Sequence, residues 1–281
     1  MKVIRAKTAG FCMGVALALQ KLDSAIEAHK GQRICTMGPI IHNPQVLEHY
    51  ASLGVVCLQN INNAQADDCI IVRAHGIPKN KEMELEAKGV SLIDATCPKV
   101  KKAQVSIAKA TQEGSVLLLF GEEDHPEVRG LVSYAAYDAI VFTSLQELQQ
   151  WELKPDLSYV LASQTTQDGK KFIEITQYLQ NVFPNMPVLS TICNATHERQ
   201  NEILHIASKV DAVIVVGGKS SGNTCRLADV SASKAVPTWH IERVTELENI
   251  DFSKFSSIGL TAGASTPKHL IDNVCSFLEA Q

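Results

Sequence analysis

The sequence has little that would engage nucleic acid or a membrane. It carries 26 Lys and Arg against 30 Asp and Glu, a formal net charge of −4, and only 5% of its 281 residues are aromatic. That leaves no basic footprint for a phosphate backbone and few rings on which bases could stack. The one basic cluster, Lys99, Lys101 and Lys102, reads as a solvated helix face. No apolar run approaches the roughly 20 residues of a membrane span. The opening Met1-Lys2-Val3-Ile4-Arg5 enters a strand without an apolar leader, so a cytoplasmic protein is expected. Neither G-x-G-x-x-G nor a Walker A motif is present. No C-x-x-C pair exists among eight cysteines, which removes zinc ribbons, thioredoxin motifs and ordinary ferredoxin runs.

Eight cysteines in a chain of this compartment and size argue for metal or catalysis rather than a disulfide framework. They separate by context. Cys35, Cys57 and Cys69 lie in or beside apolar strand-like runs and Cys275 lies on the last helix, so these four read as packing. Cys225 follows a Gly/Ser loop and stays ambiguous. Cys12, Cys97 and Cys193 share another setting. The run 90–93 is a short strand, 94–98 (Asp-Ala-Thr-Cys-Pro) a turn, and 99–112 a helix stopped at Gly114. Pro98 suits the first helical position, where its missing N–H costs nothing. Cys97 therefore faces unpaired helix N–H groups, whose field favours a thiolate.

The same strand–cysteine–helix turn occurs around Cys12 (strand 3–6, helix 15–29) and Cys193 (strand 188–190, helix 198–209). The cysteines are 85 and 96 residues apart (12 to 97, 97 to 193), a domain-sized period. Alternating strand and helix signals run between them, the α/β pattern. Three similar units are expected: 13–97, 98–191, and 192–281 with 1–12. A first polar loop follows each cysteine by 30, 28 and 30 residues, at His42, His125 and Asn223. A second lies at His75, Thr165 and Ser265, again just past a strand. Ligands of open parallel sheets bind outside strand C-termini, so each unit presents one cysteine turn and two polar turns at its binding end.

Three thiolates from three units suit a metal centre with one position open, either zinc or a cubane iron–sulfur cluster. Three helix-start cysteines without metal are the plain alternative for any one of them alone. His42, His75 and His125, with Ser221, Asn223 and Ser265, supply many donors and few carboxylates, a composition suited to diphosphate. A lone loop histidine is more often merely hydrogen-bonded, and here the grouping carries the argument. Glu127, two residues after His125, is a first-turn carboxylate by default and a proton donor if it faces the ligand. Thr165 and Thr166 could cap the next helix or orient that proton. Glu122, Glu123 and Asp124 read as solvated loop charge, and Trp151 and Trp239 as local packing.

These pieces resemble the LytB/IspH family of 4-hydroxy-3-methylbut-2-enyl diphosphate reductases. The matching stretches are Gly10-Phe11-Cys12-x-Gly14-Val15, His42-Asn43, Ala74-His75-Gly76, Asp94-Ala95-Thr96-Cys97-Pro98, His125-Pro126-Glu127-Val128, Gln164-Thr165-Thr166, Ser221-x-Asn223 and Gly263-Ala264-Ser265, in family order. The resemblance implies a trefoil of three α/β units with mostly parallel sheets around one [4Fe–4S] cluster per chain, ligated by Cys12, Cys97 and Cys193. It implies that His42, His75, His125, Thr165, Ser221, Asn223 and Ser265 bind the allylic diphosphate, and that Glu127 with Thr165 delivers protons. Two electrons, from a ferredoxin or flavodoxin, and two protons would yield isopentenyl and dimethylallyl diphosphates. Gly222 departs from the pattern, standing where some members carry a second serine.

Other classes remain open at this point. A cluster-dependent dehydratase of quinolinate synthase type would want more loop arginines than Arg73 and Arg129. A zinc hydrolase would be separated by metal analysis. An electron carrier would need no polar loops around an open metal position.

Overall fold

Apolar, β-branched runs bounded by glycine and polar turns form strands, and the longer breaker-free segments between them form helices. In a computed structural model describing residues 1–281, the order is β1 (Lys2–Arg5), α1 (Met13–Ala28), β2 (Ile34–Met37), α2 (Pro44–Ser52), β3 (Val56–Leu58), β4 (Cys69–Val72), α3 (Lys79–Ala87), β5 (Ser91–Asp94) and α4 (Pro98–Thr111). Then come β6 (Val116–Phe120), α5 (Pro126–Val132), β7 (Ala139–Phe142), α6 (Leu145–Leu148), β8 (Tyr159–Ser163), α7 (Gly169–Val182) and α8 (Asn194–Ala207). The last are β9 (Ala212–Val216), α9 (Gly222–Ala232), β10 (Thr238–Ile241), β11 (Ser257–Ala262) and α10 (Lys268–Glu279).

The strands make three sheets, ordered β3-β2-β4-β5, β7-β6-β8 and β10-β9-β11-β1, and every pairing is parallel. Where the sheet β7-β6-β8 would need a fourth strand, Val188 forms a single parallel bridge with Leu161 of β8. All three sheets thus have one order: an outer strand, two central strands, then the strand or bridge that leads to a cysteine turn. β1, from the start of the chain, pairs with β11 and fills that last place in its sheet.

Burial follows this order. The central strands β4 and β9 are buried on both faces, as expected of parallel strands covered by helices. The outer strands β3, β7 and β10 are partly exposed. β3 falls within the strand-like run around Cys57, whereas sequence pattern does not separate β7 and β10 from their surroundings. Helix α4 buries Val100, Ala103, Gln104, Ile107 and Thr111, one face at helical spacing.

Several expectations change. The segment 188–190 is a lone bridge rather than a strand: Pro187 has no N–H to give, and pairing stops after the bonds Leu161 N to Pro187 O and Leu189 N to Leu161 O. α8 starts at Asn194, not at 198, so Cys193 directly precedes a helix as Cys97 does. Cys57, expected to pack, is exposed, because it lies on an outer strand; Cys35 and Cys69 are fully buried. Trp151 is 49% exposed, whereas Trp239 does pack, edge-on, against Phe252 and Phe255.

The chain forms two compact units. One comprises Met1–Ala16, Ile41–His49 and Asn194–Gln281; the other comprises Leu17–Ile40 and Tyr50–Cys193. The first holds the sheet of β9, and its core lies on both faces of that sheet, around Ile214, Leu260 and Ile271 on one side and Ile203, Val213 and Leu227 on the other. The second holds the two remaining sheets, with cores around Ile70 and Leu85, Phe120 and Phe142, and Leu117 and Leu131.

Candidate active site

Each cysteine turn is tied to the neighbouring strand's loop by the same bond. The Cys97 N–H donates to the Ala74 carbonyl (2.9 Å), that of Cys193 to Thr165 (2.9 Å), and that of Cys12 to Ala264 (3.2 Å). Each acceptor lies two residues past its strand, β4, β8 or β11. The bond therefore sets each cysteine beside the second polar loop of its sheet. Each cysteine also heads a helix: Cys97 is the N-cap of α4 with Pro98 at the first position, and Cys12 and Cys193 immediately precede α1 and α8. The Cys12 sulfur accepts the Val15 N–H at 3.5 Å, so helix-end donors face it. All three are half-exposed, and none of the eight cysteines is in a disulfide. Thiols in open helix-start turns, with donors toward the sulfur, fit thiolate ligation of a metal or cluster.

In the unit that holds Glu127, α5 begins with His125 as N-cap and Pro126 at its first position. The Glu127 N–H donates to His125 Nδ1 at 3.1 Å, which leaves Nε2 as the imidazole's N–H. The His75 and His125 rings meet edge-to-face, centroids 5.4 Å apart. Glu127 is 1% exposed. Its carboxylate accepts the Thr165 N–H at 2.6 Å and the Thr165 hydroxyl at 3.0 Å. Burial pushes the Glu127 pKa up to about 7 against those two bonds, with the Glu122 charge adding to the rise. The result is a buried carboxyl that holds or releases a proton near neutral pH, aimed at a hydroxyl.

Around this pair lies a network that sequence pattern does not reveal. Glu122, expected as solvated loop charge, accepts from Gln167 Nε2 at 3.1 Å, and its N–H donates to Gln164 Oε1 at 3.3 Å. Gln164 and Gln167 are both buried and flank Thr165. Gly121 permits the approach, since a Cβ there would lie 2.8 Å from Val128 and 3.1 Å from Gln164. Only the Q-x-x-Q spacing across Gln164-Thr165-Thr166-Gln167 hints at it.

In the other unit, Ser221, Asn223 and Ser265 are buried at the ends of β9 and β11. The Ser265 hydroxyl donates to the His42 carbonyl at 3.0 Å and lies 3.4 Å from the Ser221 hydroxyl. Gly218 makes room for that carbonyl, because a Cβ there would sit 2.6 Å from it. Asn43 caps the first turn of α2, its Oδ1 accepting the Val46 N–H at 3.1 Å. Asn223 Nδ2 is buried without a partner. An unmet buried donor costs about 1–3 kcal/mol, a cost that an anion bound there would remove. Arg199, also absent from the candidate residues, is buried and clamps the Cys12 turn, donating to Gly10 O (2.7 Å) and Ala262 O (3.2 Å).

The fold and these loops define an α/β protein of three like-ordered parallel sheets, with thiols, buried hydroxyl and amide groups and a buried carboxyl at the strand C-termini. The profile of the family described as LytB protein matches residues 3–279, and the chain belongs to that family. It is 57% identical to the 4-hydroxy-3-methylbut-2-enyl diphosphate reductase of Desulfovibrio desulfuricans, covering 97% of each chain. It is 54% identical to the protein of the same name from Nitratidesulfovibrio vulgaris over the whole of both. Among solved structures it matches the E-1-hydroxy-2-methyl-but-2-enyl-4-diphosphate reductase of Plasmodium falciparum with TM-score 0.93 and 27% identity, covering 99% of this chain and 87% of the other. It also matches a structure of (E)-4-hydroxy-3-methyl-but-2-enyl diphosphate reductase, described as the terminal enzyme of the non-mevalonate pathway, with TM-score 0.71, 36% identity and full coverage of both. No helix is long and apolar enough to cross a membrane.

Proposed function

We propose that this chain reductively removes the hydroxyl group of 4-hydroxy-3-methylbut-2-enyl diphosphate. Two electrons and two protons enter, the allylic C–O bond breaks, water leaves, and isopentenyl and dimethylallyl diphosphates form. The observation that carries the reading is the buried Glu127 carboxyl on the Thr165 hydroxyl, a proton source near neutral pH where a leaving hydroxyl needs one.

The roles divide by chemistry. Ser221, Asn223 and Ser265, with His42, His75 and His125, bind the diphosphate; the unpartnered Asn223 amide and the imidazole N–H groups donate to its oxygens. Glu127 holds the proton, and Thr165, which both its N–H and its hydroxyl fix to that carboxyl, orients it and contacts the substrate. Cys12, Cys97 and Cys193 would hold one [4Fe–4S] cluster per chain. When bound, that cluster supplies electrons and a Lewis-acid iron for the departing oxygen. Of these thiolates, Cys97 closes the unit 13–97, and Cys12 and Cys193 both fall in the unit 192–281 with 1–12, Cys193 two residues past the end of 98–191. Gly222, at the first turn of α9, offers a backbone N–H where a second serine hydroxyl would otherwise donate. A cytoplasmic ferredoxin or flavodoxin is the electron donor.

Anaerobic purification with iron and sulfide counting, followed by turnover with reduced viologen, tests the reading. About four irons per chain and substrate-dependent viologen oxidation are expected. Protein that contains only zinc, or that reconstitutes with iron yet leaves the substrate intact, would end it.

A further inference from the structure

Thr224 has no role in the assignments above, yet it sits between the loops that carry the anion donors. It is the third residue of α9, 0% exposed, directly after Asn223. Its side chain occupies the space that two glycines leave open. A Cβ on Gly263 would lie 1.9 Å from Thr224 Oγ1 and 3.0 Å from its Cβ. A Cβ on Gly217 would lie 3.1 Å from both Thr224 Oγ1 and Cγ2, and 2.5 Å from the Thr266 hydroxyl. Gly217 directly follows β9, with φ +145°, and Gly263 directly follows β11. Thr266 closes the same slot, its hydroxyl bonded to the Val216 carbonyl at 3.0 Å.

Backbone bonds connect this slot to the donors. The Gly263 N–H donates to Val216 O (2.9 Å), and the Thr224 N–H to Ser221 O (2.9 Å). Three segments therefore meet on one side chain: the end of β9, the first turn of α9 with Ser221 and Asn223, and the β11 turn with Ser265. The Thr224 hydroxyl itself has no hydrogen-bond partner. A buried hydroxyl that bonds to nothing contributes by its volume, and its retention costs stability.

We infer that Thr224 is a positioning residue for the diphosphate site, acting by shape: wedged between Gly217 and Gly263, it sets the spacing of Ser221 and Asn223 from Ser265. The inference rests on the diphosphate reading of that site. It also gives a reason for glycine at position 263 that backbone dihedrals do not, since Gly263 is not among the positive-φ glycines.

The test is a double-mutant cycle on cluster-loaded protein, read by calorimetric titration with inorganic diphosphate alongside the melting temperature. Gly263→Ala is expected to weaken diphosphate binding by about tenfold or more, through displaced donors. Thr224→Val, which keeps the shape and drops the idle hydroxyl, is expected to bind within about twofold of the parent and to melt no lower. In a Thr224→Ala background, the Gly263→Ala loss is expected to shrink to less than about half its size on a logarithmic scale. Equal losses from Gly263→Ala in both backgrounds would overturn the proposal. So would tight binding by Thr224→Ala, or weak binding by a well-folded Thr224→Val. If Gly263→Ala does not fold, Thr224→Ala and Thr224→Val decide the matter. A parent protein that fails to bind diphosphate overturns the functional reading itself, whereas normal parent binding without coupling removes only the role of Thr224.

Discussion

The two compact units use the same scaffold for different chemistry. In both, a parallel sheet ends in a helix-start cysteine whose N–H is bonded to a carbonyl two residues past the adjacent strand. In the unit of β9, the candidate residues present hydroxyls, an amide donor and the His42 imidazole, and no carboxylate is among them. In the unit of β4 and β8, they present imidazoles and one buried carboxyl. The repeat is thus a repeat of backbone hydrogen bonding, and side chains at equivalent loops diverge: Ala74-His75, Thr165-Thr166 and Ala264-Ser265 occupy the same place. A strand C-terminus supplies position and unpaired backbone groups; which ligand or proton it serves is decided by one or two residues.

The largest expected effect tests what the units share. Cys97→Ser and Cys12→Ser, one from each unit, should both lose bound iron and turnover together, measured by iron counting and viologen oxidation. A fully loaded, active variant of either would break the likeness.

The next effects test the difference. Glu127→Gln should lower kcat by about 10²-fold or more while diphosphate still binds. Asn223→Ala should instead weaken inorganic diphosphate binding by about 10- to 100-fold, the loss of a bond to a charged group, with a smaller change in kcat. Titration calorimetry with single-turnover rates separates the two. The same split in both variants would mean that the halves do not divide the work.

The elevated Glu127 pKa makes the comparison sensitive to pH. Its protonated form is lost as pH rises through about 7, so kcat should fall on the alkaline side. The linkage to stability has a definite sign. The folded protein binds this proton more tightly than the unfolded chain does, so the burial cost is absent below pH 4.5 and grows until pH 7. At pH 8, Glu127→Gln should therefore melt no lower than the parent, having removed a cost of at most about 3 kcal/mol. Melting curves at pH 5 and pH 8 check this, and a much less stable Glu127→Gln at pH 8 would contradict it. A smaller effect is expected from Glu122→Gln, which removes one of the charges raising that pKa and should move the kcat profile toward lower pH by less than about one unit. The smallest is Cys57→Ser, which should leave iron content and turnover unchanged, because this exposed cysteine lies on an outer strand away from any helix-start turn.

Much was legible locally. Asp94-Ala95-Thr96-Cys97-Pro98 encodes its own turn, because Pro98 pre-sets the first helical residue and the strand before it is short and β-branched. Three such turns at domain spacing showed the threefold plan, and polar residues at matching offsets marked the loops. Less legible were the outer strands β7 and β10, four-residue runs that are only partly buried, and the lone bridge at Val188.

By itself, then, the sequence determined the α/β class, the three cysteine turns and the set of polar loop residues, since these depend on periodicity, capping and glycine or proline placement over a few residues. The tertiary structure alone decided how those residues work. Glu127 meets Thr165 across 38 residues because β6 and β8 are neighbours in the sheet, and its proton affinity near neutral pH exists only because that pairing buries it. Glu122 became part of the same network, and Thr224 a wedge between Gly217 and Gly263, for the same reason: burial and contact between loops follow strand order, which no local pattern contains.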